Sequence, residues 1–247
     1  MNRTWKTFIL ITIAAVTLSC SQPETDTAQT DATPAAAETG PDPTVVDADH
    51  YKTEFENELV RVVRITYGPG EESVMHYHPD SVGVFLTDQH VEFVKPDGTS
   101  EEVHAEAGQY VFAPAGQHLP KNLGEEPFEL VLVELMSAGT EVAAMEETGP
   151  DPTVVDADHY KVEFENERVR VVRITYGPGE ESVMHYHPNS VAVFLTDHHV
   201  GFGRPDGTSE EAHVEAGQHS FAPAEQHLPK NIGEEPLELI LIDIKGP

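Results

Sequence analysis

The chain has little of what proteins of its size use for cross-linking or for cationic surfaces. A single cysteine, Cys20, occurs among 247 residues. No intramolecular disulfide can form, and cysteine nucleophile chemistry is excluded from everything after it. Basic residues are scarce as well: 14 Lys+Arg stand against 44 Asp+Glu, a formal net charge of -30. Such a chain repels phosphate backbones, which excludes nucleic-acid binding, and the excess acid reads as a well-solvated surface. Long apolar runs are missing too, since the stretch from Phe8 to Leu18 is too short to span a bilayer. No segment shows a helical period. The fold must therefore be held by a core of strands, with metal the one remaining cross-link.

What is present begins with an export-type N-terminus, Arg3 and Lys6 ahead of the short apolar run. That run ends at Thr17-Leu18-Ser19-Cys20, which resembles the bacterial lipoprotein lipobox, although Thr17 stands where that family has an aliphatic residue. The resemblance implies residues 1–20 as a signal peptide with lipidation at Cys20, and a place in the bacterial cell envelope facing the periplasm or the exterior. The membrane would then be touched only through the lipid. An ordinary signal peptide or an uncleaved anchor is the alternative. Residues 21–39 are rich in Ser, Thr, Ala, Pro and acid and read as a disordered tether.

The rest is a tandem duplication. Gly40-Pro41-Asp42-Pro43-Thr44-Val45-Val46-Asp47 recurs as Gly149-Pro150-Asp151-Pro152-Thr153-Val154-Val155-Asp156, and the likeness continues with roughly twenty substitutions. This divides the chain into 40–136 and 149–247, with 137–148 as a linker. Within the first copy, Val60 to Tyr67, Ser73 to His78, Ser81 to Leu86, His90 to Lys95, Tyr110 to Phe112 and Phe128 to Leu135 are predicted strands, separated by Gly, Pro and Asp clusters. Many short strands at this spacing predict an all-β sandwich or barrel in each copy.

His76 and His78 flank Tyr77 in one predicted strand, so both imidazoles project from the same face. A lone pair of this kind sits more often on a solvated strand than on a metal. Its frame adds weight: Gly70, five residues, then His76-Tyr77-His78-Pro79, joined to Gly108, five residues, Pro114-Ala115-Gly116-Gln117-His118, and Asn122. This is similar to the two motifs of the cupin superfamily, and Gly179, His185, His187, Gly217, Pro223, His227 and Asn231 repeat it. The resemblance implies a small jelly-roll barrel in each copy with His76, His78 and His118, or His185, His187 and His227, as metal ligands. It also carries departures. The family's glutamate falls at Val82 and Val191, one residue rather than two separates Gly116 from His118, and Glu225 replaces that glycine in the second copy, where a strained turn is expected.

Three imidazoles leave open positions on a divalent transition metal, and ligand type does not choose among Fe, Mn, Ni, Cu and Zn. The resemblance implies Fe(II) and a dioxygenase-like oxidation of a small organic acid or phenolic compound. With the family's barrel register, Val82, Val84 and Phe112 are expected to line an apolar pocket. Arg61 and Arg64, with Arg170 and Arg173, lie on opposite faces of one strand, so at least one is expected to look toward the barrel or its mouth; the first expectation is an edge arginine paired with Glu54 or Glu56, the alternative an inward arginine such as Arg64 or Arg173 that clamps a substrate carboxylate. His50, His90, His104, His159, His198, His199, His213 and His219 fit no ligand frame and read as surface residues. The barrels are expected to pair within the chain, with a homodimer left open. Two competing readings are a non-catalytic module that binds metal or a small ligand, and a purely structural domain. Ordinary histidine ligands predict that metal occupancy falls as pH drops through about 6.

Overall fold

A computed structural model describes residues 39–136 and 149–245. Cys20, the export segment, almost all of the predicted tether and the predicted linker lie outside the described residues. The first copy opens with one helical turn, α1 (Pro43–Val46), capped by Asp42, whose carboxylate accepts from the Thr44 N–H at 2.9 Å. Nine strands follow: β1 (Tyr51–Glu56), β2 (Val60–Tyr67), β3 (His76–His78), β4 (Ser81–Phe85), β5 (Gln89–Val94), β6 (Ser100–Ala105), β7 (Tyr110–Ala113), β8 (Gly116–Asn122) and β9 (Phe128–Leu135). They form two antiparallel sheets, ordered β1-β2-β9-β4-β7 and β3-β8-β5-β6.

The second copy repeats this with α2 (Pro152–Val155), β10 (Tyr160–Glu165), β11 (Val169–Tyr176), β12 (His185–His187), β13 (Ser190–Phe194), β14 (His198–Gly203), β15 (Ser209–Val214), β16 (His219–Ala222), β17 (Glu225–Asn231) and β18 (Leu237–Ile244). Its sheets run β10-β11-β18-β13-β16 and β12-β17-β14-β15. Each copy is thus a jelly roll of two facing sheets, and the all-β expectation holds.

The strand period of two explains what each sheet buries. On β2, Val63, Ile65 and Tyr67 face inward and join Tyr51, Phe85, Leu130 and Leu132 in the barrel core, while Val60 and Val62 face out. The outward row is not solvated. Val60, Val62, Val82, Val84, Val131 and Val133 share one apolar cluster with residues of the second copy, among them Val171, Val191, Val193 and Ile242. Aromatic pairs flank it, Phe55 on Phe221 at 5.3 Å and Phe112 on Phe164 at 5.2 Å. A sheet buried on both faces has apolar residues at successive positions, as β4 and the Leu130–Val133 stretch of β9 do, while β2 breaks the pattern with Arg61 and Arg64.

The turns carry the glycines they require: Gly70, Gly98 and Gly108 have φ of 74°, 82° and 81°. Asn122, buried at the end of β8, closes the loop before β9 by donating to the Glu126 and Gly68 carbonyls and accepting from the Gly124 N–H. Among the described residues no helix is long and apolar enough to cross a membrane.

Candidate metal centre

Antiparallel pairing of β3 with β8 sets His76 directly opposite His118, and alternation along β3 places His78 on the same inner face. The ligand-capable atoms of His76, His78 and His118 all lie within 4.8 Å of one another, and those of His185, His187 and His227 do the same. The residues singled out by spacing are therefore brought together in both copies. His76 is fully buried and His78 is 5% exposed.

Hydrogen bonds decide which ring atom faces the centre. His76 Nδ1 lies 2.7 Å from the Val74 carbonyl, an acceptor only, so Nδ1 carries the proton and Nε2 keeps its lone pair. His78 Nδ1 lies 2.6 Å from Glu134 Oε1, with the same consequence. His76 Nε2 is buried with no hydrogen-bond partner. An unpartnered imidazole nitrogen in a polar cluster is what a missing ligand leaves behind, since buried polar atoms are otherwise paired. The donor set thus fits a divalent first-row ion, with open positions for a small ligand.

Burial, and then the charge of the neighbouring imidazoles, lowers the protonation of these rings: His76 falls to about 4, and His118 and His185 to about 3. In metal-free protein this has a definite sign. An unfolded histidine protonates near 6.5, so below that pH the unfolded chain binds protons that these folded rings refuse, and stability falls as pH drops from about 6.5 toward about 4. The melting temperature of chelator-treated protein should decline across that window. A melt unchanged between pH 7 and 5 would contradict the buried arrangement. For His76 and His118, the proton competition expected near pH 6 is moved lower.

The rest of the site was not legible from the motifs. Glu134 is fully buried on β9 and links His78 to Arg61, whose Nε donates to Glu134 Oε2 at 2.5 Å; Arg61 Nη1 then reaches Asp42 Oδ2 at 2.6 Å. Burial alone would raise the Glu134 carboxyl, but the hydrogen bonds from His78 and Arg61 hold it below its usual range. Tyr51 packs its ring edge on His76 at 4.8 Å and accepts a hydrogen bond from the Tyr67 hydroxyl. In the second copy the equivalent Tyr160 hydroxyl lies 3.1 Å from His185 Nε2. Burial pushes both phenols well up, so they are hydrogen donors and not bases.

Several expectations are corrected. Arg64 does not enter the barrel to clamp a ligand; the expected edge pairing with Glu54 is what forms. Its guanidinium is held by Glu54 and Glu129, and Nη2 donates to the Gly217 carbonyl of the second copy at 2.7 Å; Arg173 mirrors this on Glu163, Glu238 and the Gly108 carbonyl. The inward arginine is Arg61, and it is already bound to acid. Val82, Val84 and Phe112 line no pocket at the triad, because alternation on β4 and β7 turns all three into the cluster between the copies. A glutamate at Val82 would point away from the histidines. The acid beside them comes from β9, where Glu134 pairs across the ladder with Ser81.

Glu225 causes no backbone strain, since no described non-glycine residue has positive φ and Gly116 has none either. It pairs with Arg204 and lies 3.3 Å from His227 Nδ1, which holds its carboxyl far down. Among the remaining histidines, His198 is buried at 5% exposure against the Glu238 carbonyl, and His50 and His159 stack on Tyr67 and Tyr176.

No protein-family model matches the sequence, and no curated protein does. Solved structures do match. The chain is similar to a tryptophan-to-tyrosine variant of Bacillus subtilis oxalate decarboxylase, with 18% identity, 79% of this chain and 72% of that one covered, and a TM-score of 0.56. AerE from Microcystis aeruginosa matches at 17% identity over 78% of this chain and 96% of that one, TM-score 0.55. A structure of the same decarboxylase from work on its Mn(II) centres matches at 15% identity over 77% and 70%, TM-score 0.52. At such identities the likeness is one of fold. The chain has a cupin-type, jelly-roll fold with two candidate histidine metal sites.

Proposed function

We propose that each barrel holds one divalent transition-metal ion on its histidine triad, and that open positions on the ion bind a small oxygen-donor molecule, an organic acid or a phenolic compound. The observation that carries this is the orphaned, fully buried His76 Nε2 among three converging imidazoles. The similar solved folds include a decarboxylase studied for its Mn(II) centres, which supports testing manganese beside iron first. The bound ion would supply Lewis-acid and redox chemistry. The chain's own residues orient the rings, exclude water and offer the Tyr51 or Tyr160 hydroxyl as a hydrogen donor beside the triad.

A second reading, capture without turnover, is favoured by one specific feature. Glu134, the described carboxylate bonded to the triad of the first copy, is tied to His78 and Arg61 and so is not free to act as a general base. The export-type N-terminus supports a place at the cell envelope, anchored through Cys20.

Elemental analysis of untagged protein, beside a variant with His76, His78, His185 and His187 changed to alanine, tests the metal. The expected result is close to one ion per copy in the first and none in the second. Equal metal in both, or none after reconstitution with Mn(II), Fe(II) or Zn(II), would overturn the proposal. Oxygen uptake or decarboxylation by the loaded protein across a panel of small acids and phenols then separates turnover from capture.

A further inference from the structure

Each copy carries another histidine pair, on the outer face of the same sheet whose inner face carries the triad. Along β5, Val91 and Phe93 point inward, Val91 into the core and Phe93 against His118 at 5.1 Å, so His90 and Glu92 point outward. On the neighbouring β6, His104 is the direct cross-strand partner of His90, and Glu102 that of Glu92. The rings of His90 and His104 stack at 3.9 Å, and His90 Nε2 lies 3.0 Å from Glu102 Oε2. One ligand-capable atom from each of His90, Glu102 and His104 falls within 4.8 Å of the others.

We propose that these three residues form a surface site for a divalent transition-metal ion, distinct from the interior triad, with His199, Glu211 and His213 as its counterpart. Two imidazoles and a carboxylate on a rigid hairpin are a donor set that zinc, copper and nickel accept, and the exposed side leaves water to complete the shell. The counterpart keeps the ring stack at 3.8 Å and a carboxylate 3.2 Å from His199 Nε2, but only the first hairpin brings all three donors within 4.8 Å of one another. It does so in a much-altered stretch: Gln89, Glu92, Val94, Lys95, Val103 and Ala105 all differ between the two hairpins, while both histidines and the intervening glutamate stay. A surface salt bridge alone has little stabilising value and gives no reason for the second, stacked ring. The net charge of -30 raises the local concentration of cations.

The copies also differ in a way that ranks them. Glu92 stands across the ladder from Glu102 in the first copy, whereas Gly201 takes that place in the second. The first hairpin therefore holds its ion more tightly.

Equilibrium dialysis of the full-length protein against Zn2+ tests this, beside a variant carrying His104→Gln and His213→Gln. Wild type is expected to retain one more ion per copy than the variant, and His104→Gln alone to remove the tighter of those two steps. The difference does not depend on whether the interior triads fill, so failure of that reading leaves it readable. Equal Zn2+ in both proteins would overturn the proposal. Should the variant melt at a lower temperature without metal, Glu102→Gln with Glu211→Gln keeps both ring pairs and must weaken the same steps; unchanged affinity there also overturns it.

Discussion

Replacing Glu134 by glutamine is expected to lower the metal affinity of the first copy by about 10–100-fold, the usual consequence of removing the partner that orients a ligand histidine. The carboxylate performs two tasks at once. It accepts the His78 Nδ1 proton at 2.6 Å, aiming the Nε2 lone pair at the centre, and it neutralises Arg61 at the other oxygen. A glutamine keeps the size but not the charge. Arg61 would retain only Asp42, which is half exposed, and breaking one side of a buried ion pair costs about 3 kcal/mol or more. For a folded region of this size that corresponds to a fall in melting temperature of roughly 6–12 °C. Metal titration and a thermal melt on the same variant check both effects. Unchanged affinity with a lowered melt would show that Glu134 serves the fold and not the site.

Why Glu134 escaped the motif reading is instructive. His76, His78 and His118 were legible because strand alternation and antiparallel pairing are local rules, and because the glycine and proline spacing around them is specific. Glu134 lies 56 residues after His78, at an alternate position of Phe128–Leu135, where a glutamate looks like a solvent-facing residue. A signal was nonetheless there. A strand with valine or leucine on both faces is buried on both, and an acid inside it must be paired.

The same logic bears on Arg61 and Arg64, three apart on one strand and so on opposite faces. Which of them turns inward depends on register, and register is set by partners distant in the chain. Val82 was misplaced for that reason. The half-exposed β1 and β6, with their charged residues, and β8, interrupted by Pro120, carry weak alternation, so those strands were not read from sequence at all.

The second copy contains the reverse experiment. Asp243 occupies the place of Glu134, one methylene shorter, and both Arg170 contacts go to Oδ2. His187 Nδ1 is left 3.4 Å from Asp243 Oδ1, and both atoms are buried without a hydrogen-bond partner. Among the described residues no other acid is paired with that ring, and Glu225 instead approaches His227. Asp243→Glu should close the gap, satisfy two orphaned atoms, and raise the affinity of the second site by about tenfold, the lower end of what such partners contribute. Measured with the first site disabled by His118→Ala, a tenfold tighter metal step and a higher melting temperature are the expected outcome. Ala192 stands where the first copy has Gly83, on the inner face of the neighbouring strand, so Ala192→Gly is the companion change if the longer side chain is crowded. If Asp243→Glu leaves metal affinity unchanged in both backgrounds, the orientation of His187 does not limit the site, and the mismatch between the copies has no bearing on metal.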